Sequence, residues 1–504
     1  MACVVQPSGS PMIQDSRALT APPAPPALDP GTSIAHDEER VEQHSAALKK
    51  ELNLRDLVLQ QIVYVVGVTW VGAAAKLGHQ QIVFWLAAML LFYLPQAAVV
   101  IDLTRRMPLE GGLYQWARLG LGELMGFMVV WNLWVYAVLL LATIGLLIGT
   151  NMSYVVGAGG SWLATNKLFI MALNIGLLAS LMILAAVGLG VSKWIHNGGS
   201  VMLMAAFVVL ILMPVAHFLM PGGSKAIVDA HPYAIAMPAF TLLSLNVFGK
   251  MAMGALSGFE YVAVLAGETK DAAKSIAKAT LIAAPVISLM FILGTSSVLA
   301  FVPIDKINLI GPIPQVLSLG FGATGLGLVA AGIAIILLTG RTAANMSIVF
   351  TATSRMPMVA GWDNLLPSWF TKLHPKYRTP VNSILFVGLV AMAFGAAGVV
   401  GVGEQEAFQL LENAAGIFYG ITYLVMFAIP IWGMRNMDPK PPLWLRVSSA
   451  SGFAVTALYV VLSIFPIIDV TSWLSFAGKI SGVVVGLNIV GLALYWNATR
   501  RRGA

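Results

Sequence analysis

The chain has 504 residues, of which 58% are hydrophobic and 10% charged, and its formal net charge at pH 7 is +7. Soluble domains carry about 25% charged residues, so this composition indicates an integral membrane protein. The only cysteine is Cys3, which excludes a disulfide framework within one chain and a cysteine-based metal site.

Residues 1–50 are rich in proline, alanine, serine and charge, and include the segment ALTAPPAPPALDPGT. Such a composition cannot bury enough apolar surface to form a core. We therefore predict a disordered tail here. A docking role for its proline-rich part is the less favoured alternative.

From Leu57 onward, apolar runs of about 20 residues alternate with short polar links, which is the length a helix needs to cross a bilayer. The pattern predicts twelve membrane helices. They lie near residues 57–77, 81–103, 123–149, 167–188, 198–219, 241–267, 280–302, 324–352, 381–400, 407–433, 445–466 and 472–498.

The distribution of lysine and arginine predicts the orientation of these helices. If the N-terminal tail is inside, inner segments hold 22 of the 29 basic residues and outer links hold four. Basic residues favour the cytoplasmic side of a membrane, so both termini are expected in the cytoplasm. This bias also explains the positive net charge without a nucleic-acid partner.

Residues 249–271, with the sequence GKMAMGALSGFEYVAVLAGETKD, read as a membrane helix with an acid near its middle. Such an acid usually faces protein, water or a substrate rather than lipid. The neighbouring glycine weakens the helix, and unwound backbone in a membrane needs hydrogen-bonding partners. We therefore predict a broken helix at Ser257, Gly258, Phe259 and Glu260, where Glu260 binds a substrate amine or a coupling proton. A structural acid that is hydrogen-bonded to neighbouring hydroxyls or paired with a basic residue is the alternative.

The remaining three basic residues, Lys250, Arg341 and Lys479, fall inside predicted spans, and the first two are candidates for a site. Arg341 lies near mid-membrane, since it precedes Arg355 by 14 residues, or about 21 Å of helix. It could act as a fixed charge, grip a substrate carboxylate, or pair with Glu260, and a purely structural ion pair is equally favoured. Lys250 could line an outer vestibule or simply extend to the outer surface of the membrane.

The third helix carries a group of residues that could face a site: Trp131, Asn132, Trp134 and Tyr136. Packing is the commoner role of such aromatic residues.

Three stretches at predicted cytoplasmic helix ends form a recognisable set: DLTRRMPLEGGLYQWARLGLGELMGF, AGETKDAAKSIAKA and TSRMPMVAGWDNLLPSWFTKLHPKYRTP. Together they resemble the amino acid–polyamine–organocation transporter family over roughly residues 50–500. The matching residues are Arg106, Pro108, Gly111, Gly112, Tyr114, Gly258, Phe259, Glu260, Glu268, Ser354, Arg355, Leu366, Pro367, His374, Pro375, Lys376, Thr379 and Pro380.

The resemblance implies an all-α, leucine-transporter-like fold of two inverted five-helix repeats and two further helices. It places helices 1–6 in residues 51–267, helices 7–10 in 268–433 and helices 11–12 in 434–504. It also implies that the first and sixth helices are broken and that their unwound backbone holds the substrate. The implied substrate residues are Gly67, Val68, Thr69, Trp70 and Gly72 in the first helix, and Ser257, Gly258, Phe259 and Glu260 in the sixth. Members of the family usually carry G-S-G-I-F in the first helix, so Trp70 would crowd or cover the site.

The function that this resemblance implies is secondary transport of an amino acid or closely related amine, by proton-coupled symport or by antiport. A polyamine transporter, a non-transporting sensor and a passive channel are the alternatives. No motif for ATP hydrolysis or another enzyme stands in a suitable context, and no cofactor is expected. Residues 150–166 hold no cysteine that could tether a disulfide-linked heavy chain.

Overall fold

The computed structural model describes Gln43 and residues 48–502, apart from 221–222, 323–324, 399–403, 435–439, 469 and 471. The predicted tail therefore lies almost wholly outside the described residues. The described residues form helices joined by short links, and the extended pairing among them is a single bridge between Leu52 and Thr269. The all-α prediction is confirmed.

Within the described residues, twelve main helices follow the predicted order, and shorter helices such as Leu113–Leu121 and Pro312–Phe321 lie between them. The main helices are α1 (Leu54–Val65 and Val68–Ala75), α2 (Gly78–Arg106), α3 (Glu123–Val156), α4 (Lys167–Val187), α5 (Leu189–Leu219), α6 (Leu242–Glu268), α7 (Ala272–Phe301), α8 (Gly325–Thr353), α9 (Val381–Gly398), α10 (Glu404–Ala428), α11 (Leu443–Leu462) and α12 (Trp473–Arg502). Among the described residues, ten of these are long and apolar enough to cross a membrane, α1 is a bent pair, and α9 is a shorter apolar helix.

Several helices extend beyond their predicted apolar cores. Helix α5 begins at Leu189 rather than near 198, directly after Gly188, whose φ of 100° ends the preceding helix. Helix α7 begins at Ala272 rather than near 280. Hydropathy detects only the apolar part of a helix, whereas the hydrogen-bonded turns continue through the polar residues at its end.

Helix α1 is broken at Val66 and Gly67, and its two halves, α1a (Leu54–Val65) and α1b (Val68–Ala75), meet at an angle of 42°. The predicted break at residues 67–72 was too long, because Val68, Thr69, Trp70 and Gly72 already belong to α1b. Gly67 adopts an extended conformation that caps α1b (φ −79°, ψ 127°), and the alanine-rich sequence after it resumes a regular helix.

Helix α6 changes form along its length. A regular first part is followed by a π-helical turn at Lys250–Ala255, and the chain then breaks before a tighter 3₁₀ segment, Phe259–Glu268. The break therefore lies at residues 256–258, and Phe259 and Glu260 open the segment that follows. Breaks with this arrangement leave backbone groups that must be satisfied by neighbouring helices.

The two broken helices are enclosed by the others. Helix α1a packs against α5 and α7, while α3 packs against α8 and α10. The segment Lys250–Ala255 of α6 contacts α1b and α11. Both breaks therefore lie inside the protein, away from lipid.

Candidate functional site

A cavity of about 110 Å³ lies where the breaks of α1 and α6 face α3, α8 and α10. Arg341 on α8 and Glu412 on α10 are the charged residues of its described lining. Aromatic residues surround them, including Trp70, Tyr136 and Tyr419. A concave, largely apolar site with a few convergent polar groups is the usual form of a small-molecule binding site.

The carbonyl groups freed at the end of α1a are bound by side chains of α8. Arg341 donates from Nη2 to the carbonyl oxygens of Val63, at 2.9 Å, and of Val66. Asn345, one turn further along α8, donates to the carbonyl oxygens of Val63 and Tyr64 at 2.9 and 3.2 Å. Because a helix C-terminus carries partial negative charge, the guanidinium satisfies this break both by hydrogen bonding and electrostatically.

Arg341 contacts α1 on one side and borders the cavity on the other. It is 5% exposed, and its Nε atom has no hydrogen-bond partner in the part of the chain that the structure describes. The hypothesis that Arg341 pairs with Glu260 is wrong, because the Glu260 carboxylate is held by tyrosines of α10 instead. A fixed charge at the α1 break and a contact to a substrate carboxylate both fit this position.

Trp70 stands at the start of α1b and forms part of the cavity wall. Its indole ring lies between two glycines. A Cβ atom added to Gly67 would lie 2.4 Å from Cδ1 of Trp70, and one added to Gly254 would lie 2.7 Å from its Cη2. Val68 and Thr69 line the cavity beside it, so the N-terminus of α1b opens onto the cavity and presents partial positive charge to it.

The break in α6 depends on Gly258, which has a φ of 127°. A Cβ atom there would lie 2.4 Å from Cε1 of Tyr64, so the backbone conformation and the close approach of a ring both require glycine. The N–H of Gly258 donates to the hydroxyl of Tyr423 at 2.8 Å. Ser257, the residue before it, lines the cavity.

Glu260 lies behind the cavity wall and is completely buried. Its carboxylate accepts hydrogen bonds from the hydroxyls of Tyr419 and Tyr423. The hydroxyl of Tyr419 lies 3.5 Å from that of Tyr64, which lies 3.2 Å from that of Tyr136. Since Tyr64, Tyr136 and Tyr419 line the cavity, a continuous series of phenol hydroxyls joins the cavity to Glu260.

Glu412 is a cavity residue that the sequence analysis missed. Its Oε2 atom accepts a hydrogen bond from Nε2 of Gln409 at 3.4 Å, and Thr69 and Lys250 lie close enough to the carboxylate to interact with it. Lys250 is 1% exposed and donates to Oδ1 of Asn413, so the interpretation that it extends to the membrane surface is wrong. The sequence did contain a signal: Glu412 and Asn413 interrupt an apolar run in the same way as Glu260 does.

The other predicted site residues lie away from the cavity. Gly72 faces Pro312, which a Cβ atom would approach to 2.8 Å, and Phe259 stacks on Tyr93 with ring centroids 4.8 Å apart. Trp131 donates to the carbonyl oxygen of Leu487 on α12 at 2.8 Å. None of the described residues forms a group of three or more His, Cys, Asp or Glu side chains suited to a metal ion.

The profile of the amino acid permease family matches residues 57–486 of this chain. A branched-chain amino acid permease of Bacillus subtilis is 25% identical over 73% of this chain and 80% of its own length. A probable agmatine/putrescine antiporter of Lactococcus lactis is 21% identical over 83% of this chain and 87% of its own. The crystal structure of MhsT in complex with L-phenylalanine is 12% identical and has a TM-score of 0.58, covering 89% of this chain and 99% of that chain. This likeness confirms the predicted leucine-transporter-like fold.

Proposed function

Because the chain belongs to the amino acid permease family, we propose that its cavity binds an amino acid or a closely related amine for transport by alternating access. The protein is a secondary transporter of the membrane, as its relatives are. The observation that carries the substrate proposal is the presence of one cation, Arg341, and one carboxylate, Glu412, on the wall of a single cavity. Charges of both signs suit a zwitterion.

The two charges of such a substrate have distinct partners in the cavity. A substrate carboxylate fits the N-terminus of α1b, where backbone N–H groups and the helix dipole favour an anion. A substrate amine fits the region of Glu412 and the backbone at Ser257, both of which line the cavity. A polyamine would call for more than one carboxylate, and Glu412 is the acid of the described lining.

Arg341 binds the carbonyl groups at the end of α1a. Sodium-coupled relatives of this fold hold a cation at this position. Its guanidinium supplies a permanent positive charge to Val63 and Val66. A second cation at these carbonyls would meet electrostatic repulsion. We therefore favour proton-coupled symport or substrate antiport over sodium coupling.

Glu260 is the residue that we assign to proton coupling. It is buried, it lies directly after the α6 break, and phenol hydroxyls connect it to the cavity. Hydroxyl groups both donate and accept hydrogen bonds, so such a series can pass a proton between substrate site and carboxyl group.

The basic residues concentrated on one side of the membrane support a cytoplasmic location for both termini.

The experiment that tests this function is uptake and counterflow of radiolabelled amino acids, agmatine and putrescine in proteoliposomes, with and without a pH gradient. The unsubstituted protein should show saturable uptake of at least one amino acid. A gradient of one pH unit supplies about 1.4 kcal/mol per proton, or roughly tenfold accumulation. Glu260→Gln should abolish this gradient-driven accumulation while counterflow continues.

A matched control is Glu406→Gln, which removes an equal charge from an acid that lies 4.0 Å from Lys479, away from the cavity. It should retain the pH response. If Glu260→Gln also retains it, Glu260 has a binding or structural role. If only agmatine or putrescine is taken up, the protein is still a secondary transporter but the proposed substrate class is wrong.

A further inference from the structure

The end of α6 on the side of the N-terminal tail is closed by several segments that meet at one place. We call this the tail-side latch, and it consists of Glu51, Leu52, Glu110, Gly267, Glu268, Thr269 and Arg355. The N–H groups of Glu51 and Leu52 donate to the carbonyl oxygen of Glu268 at 2.9 and 3.1 Å, and the N–H of Lys270 donates to the carbonyl oxygen of Leu52 at 2.9 Å. The chain entering α1 therefore covers the end of α6.

An ion pair holds the latch from the side of α8. Arg355 donates from Nε to Oε1 of Glu268 at 2.9 Å and from Nη2 to Oε2 at 3.3 Å. The two side chains are only 1% and 7% exposed. A buried, two-pronged pair of this kind uses the charge of Arg355 to neutralise Glu268.

Glu110 is a second acid in the same buried place. It is 1% exposed, and its Oε2 atom accepts a hydrogen bond from the N–H of Gly267 at 2.7 Å. Its Oε1 atom has no partner in the part of the chain that the structure describes. The loop that carries Glu110 is pressed against α6, since the N–H of Gly111 donates to the carbonyl oxygen of Val264 at 3.1 Å.

The charged groups that face Glu110 are Glu268 of α6 and Arg355 at the end of α8. Burial, followed by the charge of Glu268, raises the pKa of Glu110 well above its ordinary range, and this outweighs the opposing influence of Arg355 and the Gly267 N–H. The neighbouring Arg118 lies 3.5 Å from Asp363, so it is engaged elsewhere. One guanidinium is thus shared by two carboxyl groups, and the uncharged form of Glu110 fits the closed latch.

We propose that Glu110 is a proton-binding site that couples cytoplasmic pH to opening of the latch, a residue of the transport cycle distinct from Glu260. In the closed latch Glu110 carries its proton on a carboxyl oxygen. When the latch opens, water reaches the carboxyl group, its O–H bond breaks, and the proton passes to cytoplasmic water while the carboxylate stays solvated. Closing reverses the step. This inference rests on the proposed transport function and on the proposed orientation.

The sign of the pH effect follows from proton counting. The closed form binds one proton more than the open form between the ordinary pKa of a glutamate and the raised pKa of the closed state. Raising the cytoplasmic pH in that interval therefore favours opening, by up to about tenfold per pH unit. A glutamine at position 110 keeps the acceptor for Gly267 and removes the titration.

The test measures exposure of the latch by cysteine labelling. Cys3 is the only cysteine, so Cys3→Ser gives a clean background. Thr269→Cys places a thiol at a fully buried position of the latch, and Lys270→Cys places one at the exposed neighbouring position. Vesicles that expose the proposed cytoplasmic face are treated with a membrane-impermeant maleimide between about pH 6.5 and about pH 8. The ratio of the two labelling rates cancels the intrinsic pH dependence of the thiol.

With Glu110 intact the ratio should rise with pH, and with Glu110→Gln it should stay constant. Glu51→Gln, which alters a less buried acid of the latch (34% exposed), and Glu406→Gln, which alters an acid of α10 outside the latch, should both keep the rise. An equal rise in Glu110→Gln would overturn the proposal. So would a flat ratio in the chain with Glu110 intact, a measurement that stands even where Glu110→Gln does not fold. The labelling experiment contains no substrate. If the protein failed to transport amino acids in the uptake experiment, the proposed function would be contradicted, but the labelling ratio would still test the role of Glu110.

Discussion

A charged side chain lies beside the helix end at each of the breaks in α1 and α6, and the two charges have opposite sign. At the α1 break the exposed end is a helix C-terminus, and Arg341 binds its carbonyl groups. At the α6 break the segment that follows begins with an N-terminus, and Glu260 lies in its first turn. Each charge complements the partial charge of the helix end that it meets, so one physical rule accounts for both residues.

The two charges differ in their relation to the cavity. Arg341 lines it directly, whereas Glu260 lies behind it and is reached through tyrosine hydroxyls. A group that lines the cavity can act on the substrate itself. A buried group separated from it by hydroxyls is suited to hold a proton. The predictions below test this division between the two breaks.

Loss of the cation at the α1 break should have the largest effect. Arg341→Met removes the donor to Val63 and Val66 and leaves buried carbonyl groups without a charged partner. We expect the transport-competent arrangement of the α1 break to lose about 3 kcal/mol of stability. This corresponds to roughly a hundredfold reduction in uptake. Initial uptake rates in proteoliposomes and the melting temperature in detergent measure the two consequences.

Arg341→Lys is the matched variant, because it keeps the positive charge but loses the planar geometry of the guanidinium. Its uptake should lie between those of Arg341→Met and the unsubstituted protein. Uptake in Arg341→Met within a factor of about three of the unsubstituted protein would contradict a charge requirement at this break.

The glycines of the two breaks should differ in their tolerance of alanine. A Cβ atom would meet an aromatic ring at 2.4 Å at both positions, Tyr64 at Gly258 and Trp70 at Gly67. Only Gly258 has a positive φ, of 127°, whereas the extended conformation of Gly67 is open to any residue. Gly258→Ala should therefore lower stability by about 1–2 kcal/mol more than Gly67→Ala. Thermal unfolding of the two variants in the same detergent measures this difference, and equal destabilisation would show that the ring contacts alone decide it.

Much of the fold could be predicted from the sequence because hydropathy reports whether a segment crosses the membrane. The order of the helices and the presence of a broken α6 follow from the apolar runs and from the pair Gly258 and Glu260. The same rule identified Arg341 as an unusual residue. The exact α1 break was less accessible, since the sequence after Gly67 combines glycine with good helix-forming residues.

Contacts between helices could not be predicted in this way. The hydrogen bonds of Asn345 to α1 and of Tyr419 to Glu260 depend on how each helix is rotated about its axis. Hydropathy does not specify this rotation for a helix that is apolar on every side. The role of Glu412 as cavity lining depends on the same information, although its presence in an apolar run was itself a usable signal. The division of the chain into two inverted repeats stays a prediction.

The smallest expected effect concerns the hydroxyls around Glu260. The hydroxyl of Tyr423 donates to Glu260 and accepts from the N–H of Gly258 at 2.8 Å, so it joins the acid to the break. The hydroxyl of Tyr419 also donates to Glu260, and its other neighbour is the more distant hydroxyl of Tyr64 at 3.5 Å. Tyr423→Phe therefore leaves a buried backbone N–H without its acceptor and should lower the free energy of unfolding by about 1 kcal/mol more than Tyr419→Phe does.

In uptake driven by a pH gradient the order of the two variants should reverse. Tyr419→Phe should be the more impaired, because only Tyr419 belongs to the series of hydroxyls between Glu260 and the cavity. A pH response that survives in Tyr419→Phe and disappears in Tyr423→Phe would show that the proton reaches Glu260 from the side of the break instead.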